Sequence, residues 1–120
     1  MTIAQAEKIS GYRIERLSRT GKLPAEFAAY DDEDKLLDQV KCGIGETPAL
    51  KMLIEKLYAI EGAIVYANQD GRCKDCARPL TLTTMERHHV IPRSRGRRDR
   101  GNLDGLCRAC HRERHRSGYL

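Results

Sequence analysis

The sequence has no tryptophan, a single phenylalanine and only 5% aromatic residues. With 32% of its residues charged, the chain has little bulk with which to hold a polar region together by burial alone, and a bound metal would supply what such a core lacks. No stretch reaches the roughly eighteen consecutive apolar residues of a membrane span. No N-terminal run joins basic residues to a long apolar core, so a signal peptide is not expected either. Four of the five cysteines fall in CxxC pairs without such a signal, which favours metal binding in a reducing cytoplasm over disulfides. At 120 residues there is room for one domain, or for a small domain with an extension.

What is present is unevenly distributed. Residues 71–120 carry 13 Lys+Arg against 5 Asp+Glu, a net of +8, which leaves residues 1–70 at −3. A basic half beside an acidic one suggests a polyanion at the C-terminal part, most simply nucleic acid.

The first seventy residues read as a mainly helical extension. Ile3, Ala6, Ile9, Ile14 and Leu17 could line short helices broken at Gly11 and stopped at Gly21 and Pro24. The segment 2–24 is similar to the opening of small helix-turn-helix DNA readers, but a few residues too short between the two helices; the plain alternative is a helical packing segment. Asp31 to Lys41 is expected as a short acidic helix ending before Gly43, and Cys42 as a buried or half-buried thiol. Thr47-Pro48 marks a further helix start. From there Leu50, Leu53, Ile54, Leu57, Ile60 and Ile64 keep helical spacing to about Asn68, with Glu61 a polar intrusion that must find a partner. A turn cluster at 68–71 sets the boundary of the extension, whose expected use is docking on a protein partner or targeting DNA.

Beyond it, Leu80–Thr84 and Glu86–Ile91 have the β-branched residues of a short hairpin. The stretch 93–101 with Arg93, Arg95, Arg97, Arg98 and Arg100 reads as a basic loop, and about Leu106 to Arg116 as a final helix. Cys73, Cys76, Cys107 and Cys110 offer four thiolates for a tetrahedral, structural Zn²⁺. The thirty residues between the pairs exceed the roughly fifteen to twenty of simple zinc ribbons, so the knuckle carries an insert, and the insert holds histidines. On the last helix His111 and His115, four apart, share a stripe adjacent to that of the cysteines. One helix can thus face two metals.

With CKDC at 73–76, HHVIPRSRG from His88 and NLDGLCRACH from Asn102, residues 72–116 resemble the HNH endonucleases, the ββα-metal nucleases, in the small form stapled by a CxxC pair on each side of the site. The resemblance implies an α+β fold: a ββα-metal nuclease module at 71–120 with structural zinc, following the helical segment. It implies metal-dependent hydrolysis of DNA phosphodiesters, as nicks or double-strand breaks. His89 matches the general base, and His88 and His111 match ligands of a catalytic divalent ion, which would act on the phosphate as a Lewis acid. Asn102 matches the residue that braces the base's loop or, in some members, binds the metal. His115 matches a third imidazole ligand seen in the nuclease colicins; the alternative is a basic-face residue.

Most small members have Asp where this chain has His88, and the softer site favours Ni²⁺, Zn²⁺ or Mn²⁺ as much as Mg²⁺. Arg97 replaces the second glycine of the usual pair. The arginines at 87, 93, 95, 97, 98, 100, 108, 112, 114 and 116 are expected to contact the backbone of duplex DNA, since only Tyr119 could stack a base nearby. Two other functions compete with cleavage: a non-catalytic zinc-dependent nucleic-acid-binding module, and an adaptor that docks another protein through residues 1–70.

Overall fold

Thr2 and Gln5 cap one another across the first turn of helix α1 (Ile3–Ser10), the Thr2 hydroxyl accepting from the Gln5 N–H and the Gln5 side chain accepting from the Thr2 N–H. Such a box stabilises a helix start by about 1 kcal/mol. Gly11, at φ 85°, closes the helix in the left-handed conformation that glycine adopts without strain. A computed structural model of the chain describes residues 1–96 and 98–116, without the side chain of Arg93.

The expectation of further helices before residue 46 is corrected. An antiparallel sheet of β1 (Arg13–Arg16), β2 (Ala25–Tyr30) and β3 (Leu36–Cys42) occupies that stretch, in the order β1-β2-β3. Ile14, which helical spacing placed beside Leu17, pairs instead with Ala29 across the sheet, so no second helix of a helix-turn-helix forms. The acidic run at 31–34 is a hairpin turn. The Asp31 carboxylate accepts from the N–H groups of Glu33 and Lys35, at 2.8 and 2.9 Å, and Asp34 sits at φ 59°. An Asp side chain that satisfies the backbone locally competes with helix formation. Ala25, Phe27, Ala28 and Ala29 of β2 are all fully buried, and small residues flanking the one phenylalanine let both faces of the central strand be covered.

Helix α2 runs from Glu46 to Asn68, two residues earlier than the expected start at Pro48 with Thr47 as N-cap. The chain forms two compact units, Met1–Tyr58 and Ala59–Leu120, divided inside this helix. In the first unit Ala49, Leu50, Leu53, Ile54 and Leu57 are buried. In the second, the buried face of the helix is carried by Glu61, Gly62 and Val65, whereas Ile64, expected on the apolar stripe, is 42% exposed. Glu61 finds its partner in the Gly101 N–H, 2.9 Å from Oε1. The Gln69 amide brackets Gly105, donating to its carbonyl and accepting from its N–H at 2.9 and 3.0 Å.

In the second unit β4 (Glu86–His89) pairs antiparallel with β5 (Leu103–Leu106), and α3 (Arg108–Arg116) follows. The hairpin expected between 80–84 and 86–91 is therefore corrected: β4's partner is the stretch 103–106, which leads into the last helix. Thr81 and Thr84 exchange side-chain hydroxyl and backbone N–H bonds at 2.9 and 3.1 Å, which closes 81–84 into a turn. Glycine at 105 leaves room for the Met85 side chain, whose sulfur would clash with a Cβ placed there. Among the described residues no helix is long and apolar enough to cross a membrane.

Candidate metal and catalytic centre

Two clusters of metal-ligating side chains flank α3. The first is Cys73, Cys76, Cys107 and Cys110, whose sulfurs all lie within 4.8 Å of one another. Cys73 is fed by the knuckle turn, where its N–H donates to the Arg78 carbonyl at 2.8 Å and its carbonyl accepts from Ala77 at 2.9 Å. All four thiols are free. Burial pushes the Cys73 thiol up, but backbone N–H groups of Cys107, Cys76 and Asp75 outweigh it and bring it down to about 6. Cys110 is pushed well above the usual thiol range by Cys107 and by burial. Four thiolates cannot collect here without a cation, and a soft tetrahedral dication suits the donor set. Cys73, Leu106 and Cys107 form a buried cluster with Leu80 and Cys110 packed against it, so the zinc-type site and the core of this module coincide.

The second cluster is His88, His111 and His115, again with nitrogens within 4.8 Å of one another. Alternation along β4 sends Glu86 and His88 to one face and Arg87 and His89 to the other. His88 is 3% exposed, and its ring centroid lies 5.4 Å from that of His111 and 5.5 Å from that of His115. One turn of α3 brings the Nε2 atoms of His111 and His115 to 3.1 Å. The other nitrogen of His111, Nδ1, is held 2.8 Å from Glu86 Oε1. That arrangement turns the Nε2 atom of His111 toward the cluster, as carboxylate partners commonly orient ligating imidazoles. Three imidazole donors without a carboxylate among them suit a softer divalent ion such as Ni²⁺ or Zn²⁺ better than Mg²⁺.

His89 is the last residue of β4. Because the strand ends there, His89 and His88 line one open cleft together with Arg87, Pro92, Ser94, His111 and His115. Its Nε2 is 2.7 Å from Oδ1 of Asp99. Asn102 braces the chain just beyond it: the Ile91 N–H donates to Asn102 Oδ1 at 3.0 Å, Asn102 Nδ2 donates to the Ile91 carbonyl at 2.7 Å, and Val90 N–H donates to the Asn102 carbonyl at 2.9 Å.

Sequence reasoning missed Asp99 and Glu86. Both look like surface acids in a basic stretch, and only the fold puts each on an imidazole. It also counted Arg114 among the backbone-binding arginines, and the structure corrects this. Arg114 clamps Asp75 through two bonds, at 2.8 and 2.6 Å, and Asp104 at 2.8 Å. The hydrogen bonds from Arg114 hold the Asp75 carboxyl below its ordinary range. Arg95, Arg98, Arg108 and Arg112 are exposed. Arg97 and Tyr119, and the side chain of Arg93, lie outside the described residues.

A four-cysteine knuckle, a two-stranded ribbon and a helix that shares histidines with the ribbon make up a small module with two clusters of metal-ligating side chains. Residues 73–117, less than half of the chain's length, match the family model of HNH endonucleases. Neither the curated proteins nor the solved structures give a match to the chain. The family match points to a nuclease-type or nucleic-acid-related function.

Proposed function

We propose that the protein is a metal-dependent endonuclease that hydrolyses DNA phosphodiesters in the cleft between β4 and α3. The observation that carries this is the meeting of His89 with the His88, His111 and His115 cluster in one open cleft. His88, His111 and His115 would hold a divalent cation. Bound there, it supplies Lewis-acid stabilisation of charge on the phosphate and on the leaving oxygen.

His89 takes a proton from water, for which an imidazole near neutrality is suited. The water oxygen keeps the electrons of the broken O–H bond and forms a bond to phosphorus. The P–O bond to the leaving sugar oxygen breaks, and that oxygen keeps the bonding pair and takes a proton from solvent. Asn102 keeps the base's loop in place through its paired bonds to Ile91. Exposed Arg95 and Arg98, with Arg93, Arg97 and Arg100, give sequence-independent, salt-sensitive contact to the duplex backbone.

Highly purified protein mixed with supercoiled plasmid is expected to convert it to nicked or linear DNA with Mg²⁺, Mn²⁺, Ni²⁺ or Zn²⁺ added, and to stop when the ion is chelated. Plasmid left intact across that panel would overturn the proposal. Glu86→Gln is expected to weaken Ni²⁺ binding at the imidazole cluster by about 10- to 100-fold, because the orienting carboxylate is lost. Calorimetric titration of the zinc-loaded protein checks this, and an unchanged affinity would remove Glu86 from the site.

A further inference from the structure

Asp99 is 2% exposed, a burial that carboxylates seldom reach without partners. Its Oδ1 lies 2.7 Å from the Nε2 atom of His89. It stands at the start of the turn that also carries Asn102, whose N–H donates to the Asp99 carbonyl at 3.1 Å. Gly101, at φ 68°, lets that turn close, and its N–H is tied to Glu61, itself 4% exposed, on α2. The turn is therefore held at three places: to α2 through Gly101, to the loop after β4 through Asn102, and to His89 through Asp99.

We propose that Asp99 is the positioning residue of the general base. It holds the His89 ring so that Nε2 carries the proton and Nδ1 carries the lone pair that accepts the proton from water. The inference rests on His89 being the base. A carboxylate only accepts hydrogen bonds, so a neutral imidazole facing one at 2.7 Å places its N–H on that side. The opposite nitrogen is then the basic one. The same division of labour, in which a buried Asp fixes tautomer and ring orientation while the far nitrogen moves the proton, operates in Ser-His-Asp triads. Here it is built from a loop acid and a strand-end histidine. Glu61 extends the hold upstream of residues 73–117, so α2 contributes to the site although the family match does not include it.

The test has two arms. In the zinc-loaded full-length protein at about pH 8, where an ordinary histidine is neutral, nitrogen NMR of the His89 ring is expected to show the proton on Nε2. In Asp99→Asn, whose amide can donate as well as accept, the tautomer is expected to become mixed or reversed. The kcat for plasmid nicking is expected to fall by about 10²- to 10⁴-fold, with KM for DNA and Ni²⁺ affinity changed less than about threefold. Asp99→Glu is expected to recover part of kcat. A wild-type ring carrying its proton on Nδ1 overturns the proposal whether or not the variant folds. A folded Asp99→Asn protein with undiminished kcat overturns it as well. Failure of the underlying assignment looks different: His89→Ala would then cleave normally while the wild-type ring still shows Nε2–H.

Discussion

His89→Ala is expected to lower plasmid cleavage by about 10²- to 10⁴-fold, the usual contribution of a positioned general base. The side chain sits at the end of β4, on the rim of the cleft and opposite the buried Asp99. Removing it deletes the proton acceptor but none of the imidazoles of the metal cluster. Affinity for the divalent ion and for DNA is therefore expected to persist, and the loss should appear in kcat alone. The leading alternative, a binding module without catalysis, makes the opposite prediction: wild type and variant would show the same trace activity, arising from contamination. Equal metal-dependent rates from equally pure preparations would remove His89 as the base, equal trace rates that ignore added metal would sink the endonuclease proposal, and a fall in kcat supports it.

Loss of the zinc-type site has the largest expected effect on stability. The buried cluster of the module is built from Cys73, Leu106 and Cys107, with Leu80 and Cys110 against it, so removing the ion takes away the contact that unites most of that cluster. Structural zinc sites contribute about 10 to 16 kcal/mol of apparent binding energy, comparable to the entire stability of an ordinary domain, about 5 to 15 kcal/mol. Stripping the protein with a strong chelator, or replacing Cys107 with serine, is expected to collapse the amide dispersion of β4, β5 and α3 in a proton–nitrogen spectrum. Re-addition of Zn²⁺ should restore the chelated wild type but not Cys107→Ser. A spectrum that survives chelation, with the ion shown to be absent, would make the cysteines ordinary core thiols.

The parts of the molecule that could be read along the chain are those set by short-range geometry. A CxxC pair and two histidines four apart on a helix need only one turn of backbone to share a ligand, and both clusters form as that spacing implies. The start and length of α2 were also legible, because a proline in the first turn and an apolar period of about 3.6 act locally. Where local signals misled, side chains had taken over backbone bonding. Asp31 turned an acidic run into a hairpin turn, and Thr81 with Thr84 turned a β-branched run into another. The sheet over 13–42 escaped for a different reason: its alanines and its lone Phe27 become strand residues only through partners elsewhere in the chain, and strand preference depends on that context.

What the sequence determined by itself was therefore the inventory: four thiols, three clustering imidazoles, one further histidine and the asparagine beside them. Tertiary structure alone decided which acids serve them. Pairing of β4 with β5 rather than with 80–84 leaves Glu86 on the face that meets His111 and closes the loop that returns Asp99 to His89, while Arg114 is diverted from the basic surface to Asp75 and Asp104. Such partnerships depend on strand register and loop closure across ten to thirty-nine residues. A carboxylate's neighbours at that separation are fixed by where the chain returns, and no local pattern encodes them.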